Sequence, residues 1–320
     1  MKTYLVIPTI RDLSFLKAWK GEFAKCHLIV VEDHPKRQIK IPSKNFLSIK
    51  HFCWLDIDGD LGKNAWIISR KNAGIRCYGF WKAYQEGAEA VITLDDDCYP
   101  AGRGFVKGHL ENLRLKAPQS WFSTYPHAQY LYTRGIPYQV RDKYPVVLSH
   151  GLWSGSIDLD AQTELKTGKL ALEPFNHPLR LFIPRADFFP MCTMNLAFRR
   201  EIVPLMYFPL MGKPWFYDRF DDIWAGIFLK KILDHLSLAV VSGSPFVEHR
   251  KASDPASNFR KEKRGMKTNE MLWKRVEQVK LTGKTPKGCY LELAQKIEFP
   301  EEKYFAKLKE AMTAWTNLFS

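Results

Sequence analysis

Short apolar runs alternate with amphipathic stretches through the first hundred residues. Tyr4 to Ile7 and His27 to Val31 read as buried strands, the first turning out at Pro8 and the second ending in Glu32-Asp33. Phe46 to Ile49 reads as a weaker third strand, and Leu13 to Trp19 carries helical spacing. The apolar spacing predicts a helix from Asn72 to Ala90, with Gly87 near its end, followed by a buried strand from Val91 to Leu94. Strand and helix alternating in this way predict a mostly parallel sheet with helices on both faces. Residues 100–190 break the pattern. They are rich in Pro, Tyr, Trp and Gly and predict long loops with some antiparallel strand, the kind of segment that usually carries function. Phe220 to Leu233 predicts a helix and Leu236 to Val241 a strand. Beyond about Lys251 the chain turns basic and amphipathic, with helices near Asn269–Leu281 and Glu301–Phe319. A soft boundary at Asp254-Pro255 divides it into an α/β domain, 1–255, and a basic, mainly helical extension, 256–320.

Composition narrows the class. The 320 residues are 46% hydrophobic, ample for a sizeable core. No run approaches the roughly 18 apolar residues of a spanning helix, and the apolar start is too short for a signal peptide, so a soluble, cytoplasmic chain is expected. The six cysteines are scattered without a C-x-x-C pair or zinc spacing and read mostly as reduced, buried side chains. A net charge of +14 suits nucleic acid, an anionic membrane surface or an anionic small substrate. No nucleic-acid motif accompanies it, so no nucleic-acid partner is expected. The basic tail leaves peripheral membrane contact open, and a homo-oligomer is equally open.

The chemistry gathers at Asp95-Asp96-Asp97, directly after the Val91–Leu94 strand. Three adjacent carboxylates repel one another and resist burial, but at a strand end they can hold Mn²⁺ or Mg²⁺ through hard oxygen ligands, and the cation can clamp a diphosphate. Asp33, after the second strand, suits a base or ribose edge or serves as a turn residue. Arg70, Lys71 and Arg76 surround Gly74 where a loop enters a helix, either as a diphosphate cradle or as solvated charges. Asp221 and Asp222 open a helix, as caps, sugar ligands or a base. His249 could complete the metal shell, with Lys251 near phosphate. Arg134 and Arg141 lie in a Gly/Pro/aromatic loop, where guanidinium groups suit phosphate or carboxylate recognition. His150 and Trp153 could flank a sugar ring, or Trp153 could be core, and Asn195 lies in a segment that reads as a pocket wall or a buried turn and strand.

These segments share order and wording with a known family. Val6 to Arg11, Asp95 to Cys98, Ser149 to Trp153, Phe189 to Cys192 with Met194 to Phe198, Asp221 to Gly226, Asp234 to Leu238 and His249 to Pro255 together resemble the reversibly glycosylated polypeptides, also known as the UDP-arabinopyranose mutase family. The resemblance covers about residues 4–255, and both the tail and residues 155–187 diverge. It implies a GT-A glycosyltransferase-like fold, a UDP-sugar substrate and a Mn²⁺ or Mg²⁺ ion held at Asp95, Asp96 and Asp97. It also implies interconversion of UDP-arabinopyranose and UDP-arabinofuranose, with reversible glycosylation of an arginine that matches Arg134. A second functional arginine matches Arg141. A transferase acting on a separate acceptor, or a non-catalytic UDP-sugar-binding subunit, is the alternative.

Overall fold

The apolar runs pair into one sheet. The structure, a computed structural model, describes residues 1–42, 45–122, 131–168, 170–175, 177–250 and 254–319. In chain order it runs β1 (Thr3–Thr9), β2 (Cys26–Glu32), β3 (Ser48–Phe52), α1 (Trp54–Leu61), α2 (Arg76–Gln85), β4 (Ala90–Leu94), β5 (Cys98–Pro100), α3 (Phe105–Asn112), β6 (Lys116–Ala117) and β7 (Tyr144–Ser156). It continues through α4 (Ala161–Thr167), β8 (Ala171–Leu172), β9 (Arg180–Phe182), β10 (Asn195–Arg199), α5 (Asp221–His235), β11 (Ala239–His249), α6 (Pro255–Gln278), α7 (Pro286–Lys296) and α8 (Lys303–Thr316).

The main strand order is β3-β2-β1-β4-β10-β7-β11-β5. The first four run parallel, β10 is antiparallel to both of its neighbours, and β7 and β11 return to the first direction. This mostly parallel sheet flanked by helices is the GT-A-like arrangement that the resemblance implies. It brings the carboxyl ends of β1, β2, β4, β7 and β11 to one edge, where open α/β sheets bind ligands.

The helix expected over 72–90 is shorter. Asn72 accepts from the Gly74 amide, Ala73–Ile75 form a tight 3-10 turn, and α2 proper starts only at Arg76. Gly79 lets α2 lie close on the sheet, since a Cβ there would come within 2.5 Å of Val6 Cγ1. Residues 100–190 hold more regular structure than their composition predicts. The thirteen-residue β7 sits mid-sheet between β10 and β11, and its residues Val146 to Gly151 are buried. Its Ser, Gly and His positions conceal it, because small and polar residues carry no apolar period.

The boundary expected at residue 255 is not a structural division. Leu272, Val276, Tyr290, Leu293, Leu308 and Trp315 belong to the same apolar cluster as Tyr78, Phe198 and Phe228. Trp315 Nε1 donates to the Pro204 carbonyl at 3.0 Å and Tyr304 Oη to that of Leu210 at 2.9 Å. Gly265 of α6 faces the Phe220 ring so closely that a Cβ would lie 2.3 Å from it. Helices with a single apolar stripe must bury it against something, and here the α/β body receives it. Among the described residues, no helix is long and apolar enough to cross a membrane.

Candidate active site

Asp95, Asp96 and Asp97 leave β4 at the ligand edge, and each meets a different partner. Asp95 Oδ1 accepts from Arg76 Nη2 at 2.6 Å. Asp96 accepts from Thr9 Oγ1 at 2.8 Å and from Arg11 Nη2 and Nε at 2.5 and 3.3 Å. Asp97 Oδ2 lies 3.8 Å from His249 Nε2 and 4.0 Å from Arg11 Nη2. Burial raises the pKa of both Asp96 and Asp97, and the neighbouring carboxylates push the same way.

His249 decides how well this edge fits a cation. Its Nδ1 lies 3.0 Å from the Ser156 carbonyl, which can only accept, so Nδ1 carries the proton. Its Nε2 then faces the Asp97 carboxylate, 3.8 Å from Oδ2. A backbone carbonyl on Nδ1 is the usual outer partner of a metal-binding imidazole, and it aims Nε2 at the Asp97 carboxylate. Among the described residues, no group of three His, Cys, Asp or Glu side chains is arranged to hold a metal. Asp97 and His249 nonetheless fit the pattern in which a divalent ion takes one or two protein ligands and completes its shell with phosphate oxygens and water.

A second acidic group adjoins the first. Asp221 and Asp222 occupy the opening turn of α5. Asp222 Oδ2 accepts from the Thr193 amide and hydroxyl, both at 3.3 Å, and Asp221 Oδ2 is buried with no partner among the described residues. A helix N-terminus favours carboxylates, but burial outweighs it here. Burial lifts Asp221 to about 6 against the pull of Arg76. Burial, with the like charges of Asp221 and Asp158, lifts Asp222 to about 8. Asp158 reaches the same place from the loop after β7, with Oδ2 3.8 Å from Cys192 Sγ.

Several expected ligands are engaged inside the protein. Arg76 is buried, and its guanidinium donates to Ala73 O, Thr93 Oγ1, Thr193 O and Asp95. It is therefore an internal counter-ion, not a diphosphate ligand. Asp33 accepts from Trp54 Nε1 at 2.7 Å and from the Asn72 amide at 3.0 Å, pinning the loop after β2. Arg70 pairs with Asp58 and lies over the Trp54 ring, whereas Lys71 points to solvent. Asn195 is likewise not a substrate contact: its amide donates to Leu152 O and Pro245 O and accepts from His109 Nε2. His150 is enclosed in β7, bonded through Nδ1 to Ser242 Oγ and held neutral by burial, which lowers its pKa to about 4. It packs edge-on against Trp153 and Phe189, and its Nε2 is buried with no partner among the described residues. Lys251 lies outside the described residues.

The arginine loop lies elsewhere. His150 stands level with Thr93 through Leu196, while Tyr144 begins β7 about 20 Å away at the rise of an extended strand. The loop closes at that far end. Tyr132 Oη bonds to Asp142, and Arg141 donates to the Ile136 carbonyl and stacks on Tyr138. Arg134 is exposed there. Arg134 and Arg141 are thus not brought to the acidic edge, because they precede a long strand that runs toward it. Two residues that do reach the edge carried weak sequence signals. Arg11 follows a strand-ending Pro-Thr turn, and Thr193 sits in an apolar segment.

Comparison with known proteins shows the family. The family model described as "Reversibly glycosylated polypeptide" matches residues 2–320, and so includes the C-terminal helices that the motifs left out. The chain is 36% identical to "UDP-arabinopyranose mutase 1" of Arabidopsis thaliana, covering 97% of this chain and 90% of that protein. It is 35% identical to "UDP-arabinopyranose mutase 1" of Oryza sativa subsp. japonica, covering 97% and 88%. Two solved structures are similar at 10% identity: M. tuberculosis glucosyl-3-phosphoglycerate synthase, TM-score 0.39 over 94% of this chain and 82% of that one, and Rubrobacter xylanophilus mannosyl-3-phosphoglycerate synthase, TM-score 0.43 over 88% and 78%. The family match spans nearly the whole sequence, and the chain belongs to the reversibly glycosylated polypeptide family.

Proposed function

We propose that this protein is a metal-dependent UDP-sugar mutase that interconverts UDP-arabinopyranose and UDP-arabinofuranose at the acidic edge of the sheet. The observation that carries the reading is the pairing of two acidic groups there. One, with Asp97 facing His249, suits a cation and diphosphate. The other, Asp221 with Asp222, holds a carboxyl protonated near neutral pH. Asp97 and His249 would hold the ion, which when bound would offset the charge of the diphosphate.

Changing ring size exchanges the oxygen that closes the ring on C1. One C–O bond breaks and one forms, the departing ring oxygen gains a proton, and the incoming hydroxyl loses one. No electrons change hands, so no redox cofactor is required. Asp222 can deliver the proton, and the Asp221–Asp222 pair can recover it, since two carboxyls in one buried place share a proton more readily than they both ionise. The proton exchange as proposed uses Asp221 and Asp222 and does not call on Arg134 or Arg141, whose loop is anchored at the start of β7.

Incubating the protein with UDP-arabinofuranose and Mn²⁺, and resolving the products by chromatography, should yield UDP-arabinopyranose without any added acceptor. Sugar transfer only when an acceptor is supplied would instead establish a transferase. Nucleotide binding without either product would leave a UDP-sugar-binding subunit.

A further inference from the structure

The acidic triplet is flanked by two arginines of opposite character. Arg76 is 2% exposed, and its donors are engaged by four different groups. It cannot leave without orphaning buried acceptors. The Arg11 side chain is 52% exposed, and among the described residues its guanidinium is hydrogen-bonded only by Asp96, with Asp97 Oδ2 at 4.0 Å. That Asp97 oxygen is the one that faces His249 Nε2.

A divalent ion held by Asp97 would lie close to the Arg11 guanidinium, whose Nη2 is 4.0 Å from Asp97 Oδ2, and like charges at that range repel. Arg76 is fixed, so Arg11 is the group that can yield. We propose that Arg11 is an exchangeable counter-ion: it covers Asp96 and Asp97 in the empty site, gives way when the cation arrives, and then closes on the diphosphate. Resting on the UDP-sugar reading above, this assigns a nucleotide-diphosphate ligand and couples cation binding to nucleotide binding. An exposed arginine stem can swing without disturbing the core, and its planar fork suits phosphate oxygens. Because each ligand acts on the same side chain, each must strengthen the binding of the other.

Calorimetric titration of the full chain with Mn²⁺ alone, UDP alone, and UDP at saturating Mn²⁺ tests this in wild type, Arg11→Met and Arg11→Lys. Met keeps the stem and removes the charge. Arg11→Met should bind Mn²⁺ alone more tightly, on the order of fivefold, the scale of one exposed ion pair. UDP at saturating Mn²⁺ should bind the variant more weakly by at least as much, with Arg11→Lys intermediate in both. Unchanged or weaker Mn²⁺ binding in Arg11→Met, or unchanged UDP affinity at saturating Mn²⁺, overturns the inference while leaving the UDP-sugar reading in place. A wild-type protein that takes up neither Mn²⁺ nor UDP overturns both.

Discussion

Replacing Arg76 with Leu should destabilise the protein by about 3 kcal/mol, the low end of the range for stripping one partner from a buried ion pair, because the Asp95 left behind is 34% exposed. The leucine fills much of the arginine stem's space, so the loss is electrostatic and not a cavity effect. Asp95 loses a bond of 2.6 Å, and the Thr193 carbonyl loses one of 2.9 Å. Asp221 and Asp222 lose the cation that opposes their burial. Arg76→Lys should recover only part of the loss, since an ammonium cannot reach all four acceptors in one plane. Urea unfolding of the three proteins at neutral pH measures the effect. A loss below about 1 kcal/mol, the scale of an exposed pair, would mean that Arg76 is not the counter-ion of this acidic edge.

Asp222→Asn should lower mutase turnover by about 10²–10⁴-fold, the usual worth of a positioned general acid. Its effect on folding should run the other way. Burial and the like charges of Asp221 and Asp158 raise the Asp222 carboxyl from 3.8 to about 8. A carboxyl whose folded pKa lies above its unfolded value contributes stability at low pH that is lost as pH rises toward the folded value. The contribution of Asp222 should therefore decline between about pH 4 and pH 8, so the stability difference between wild type and Asp222→Asn should shift against wild type across that range. The amide still offers Thr193 an acceptor, so the site keeps its shape. Wild-type turnover should fall above about pH 8, where the acid has lost its proton. Denaturant midpoints across this pH range, with turnover at each pH, check both halves. Turnover within tenfold of wild type would remove Asp222 from the reaction.

Much of the fold was legible because buried strands announce themselves. Tyr4–Ile7, His27–Val31 and Val91–Leu94 are continuous apolar runs, and each became a central strand. The same logic placed the acidic triplet at the ligand edge, since charge can follow a buried run only where the strand leaves the core. Asp221 and Asp222 were visible as acids opening an apolar helix. What the sequence hid was pairing. Whether Arg76 faces phosphate or an internal carboxylate depends on its burial, which its neighbours in sequence do not reveal. Asn195 read as a pocket wall or a buried turn, and only its bonds to His109, Leu152 and Pro245 decide for the interior. The arginine loop was misplaced for a related reason: its position follows from the direction of β7, a strand whose small and polar residues disguise it. The C-terminal helices look like an appendage because their exposed faces are so basic, yet their apolar stripes complete the main core.

The central claim is that nucleotide and cation meet at Asp97 and His249. Measuring UDP affinity with and without Mn²⁺, in wild type and Asp97→Asn, tests it most directly. Mn²⁺ should tighten UDP binding to wild type and leave Asp97→Asn unaffected, with both proteins equally folded by circular dichroism. An undiminished Mn²⁺-dependent gain in Asp97→Asn would contradict the assignment and move the site away from the end of β4.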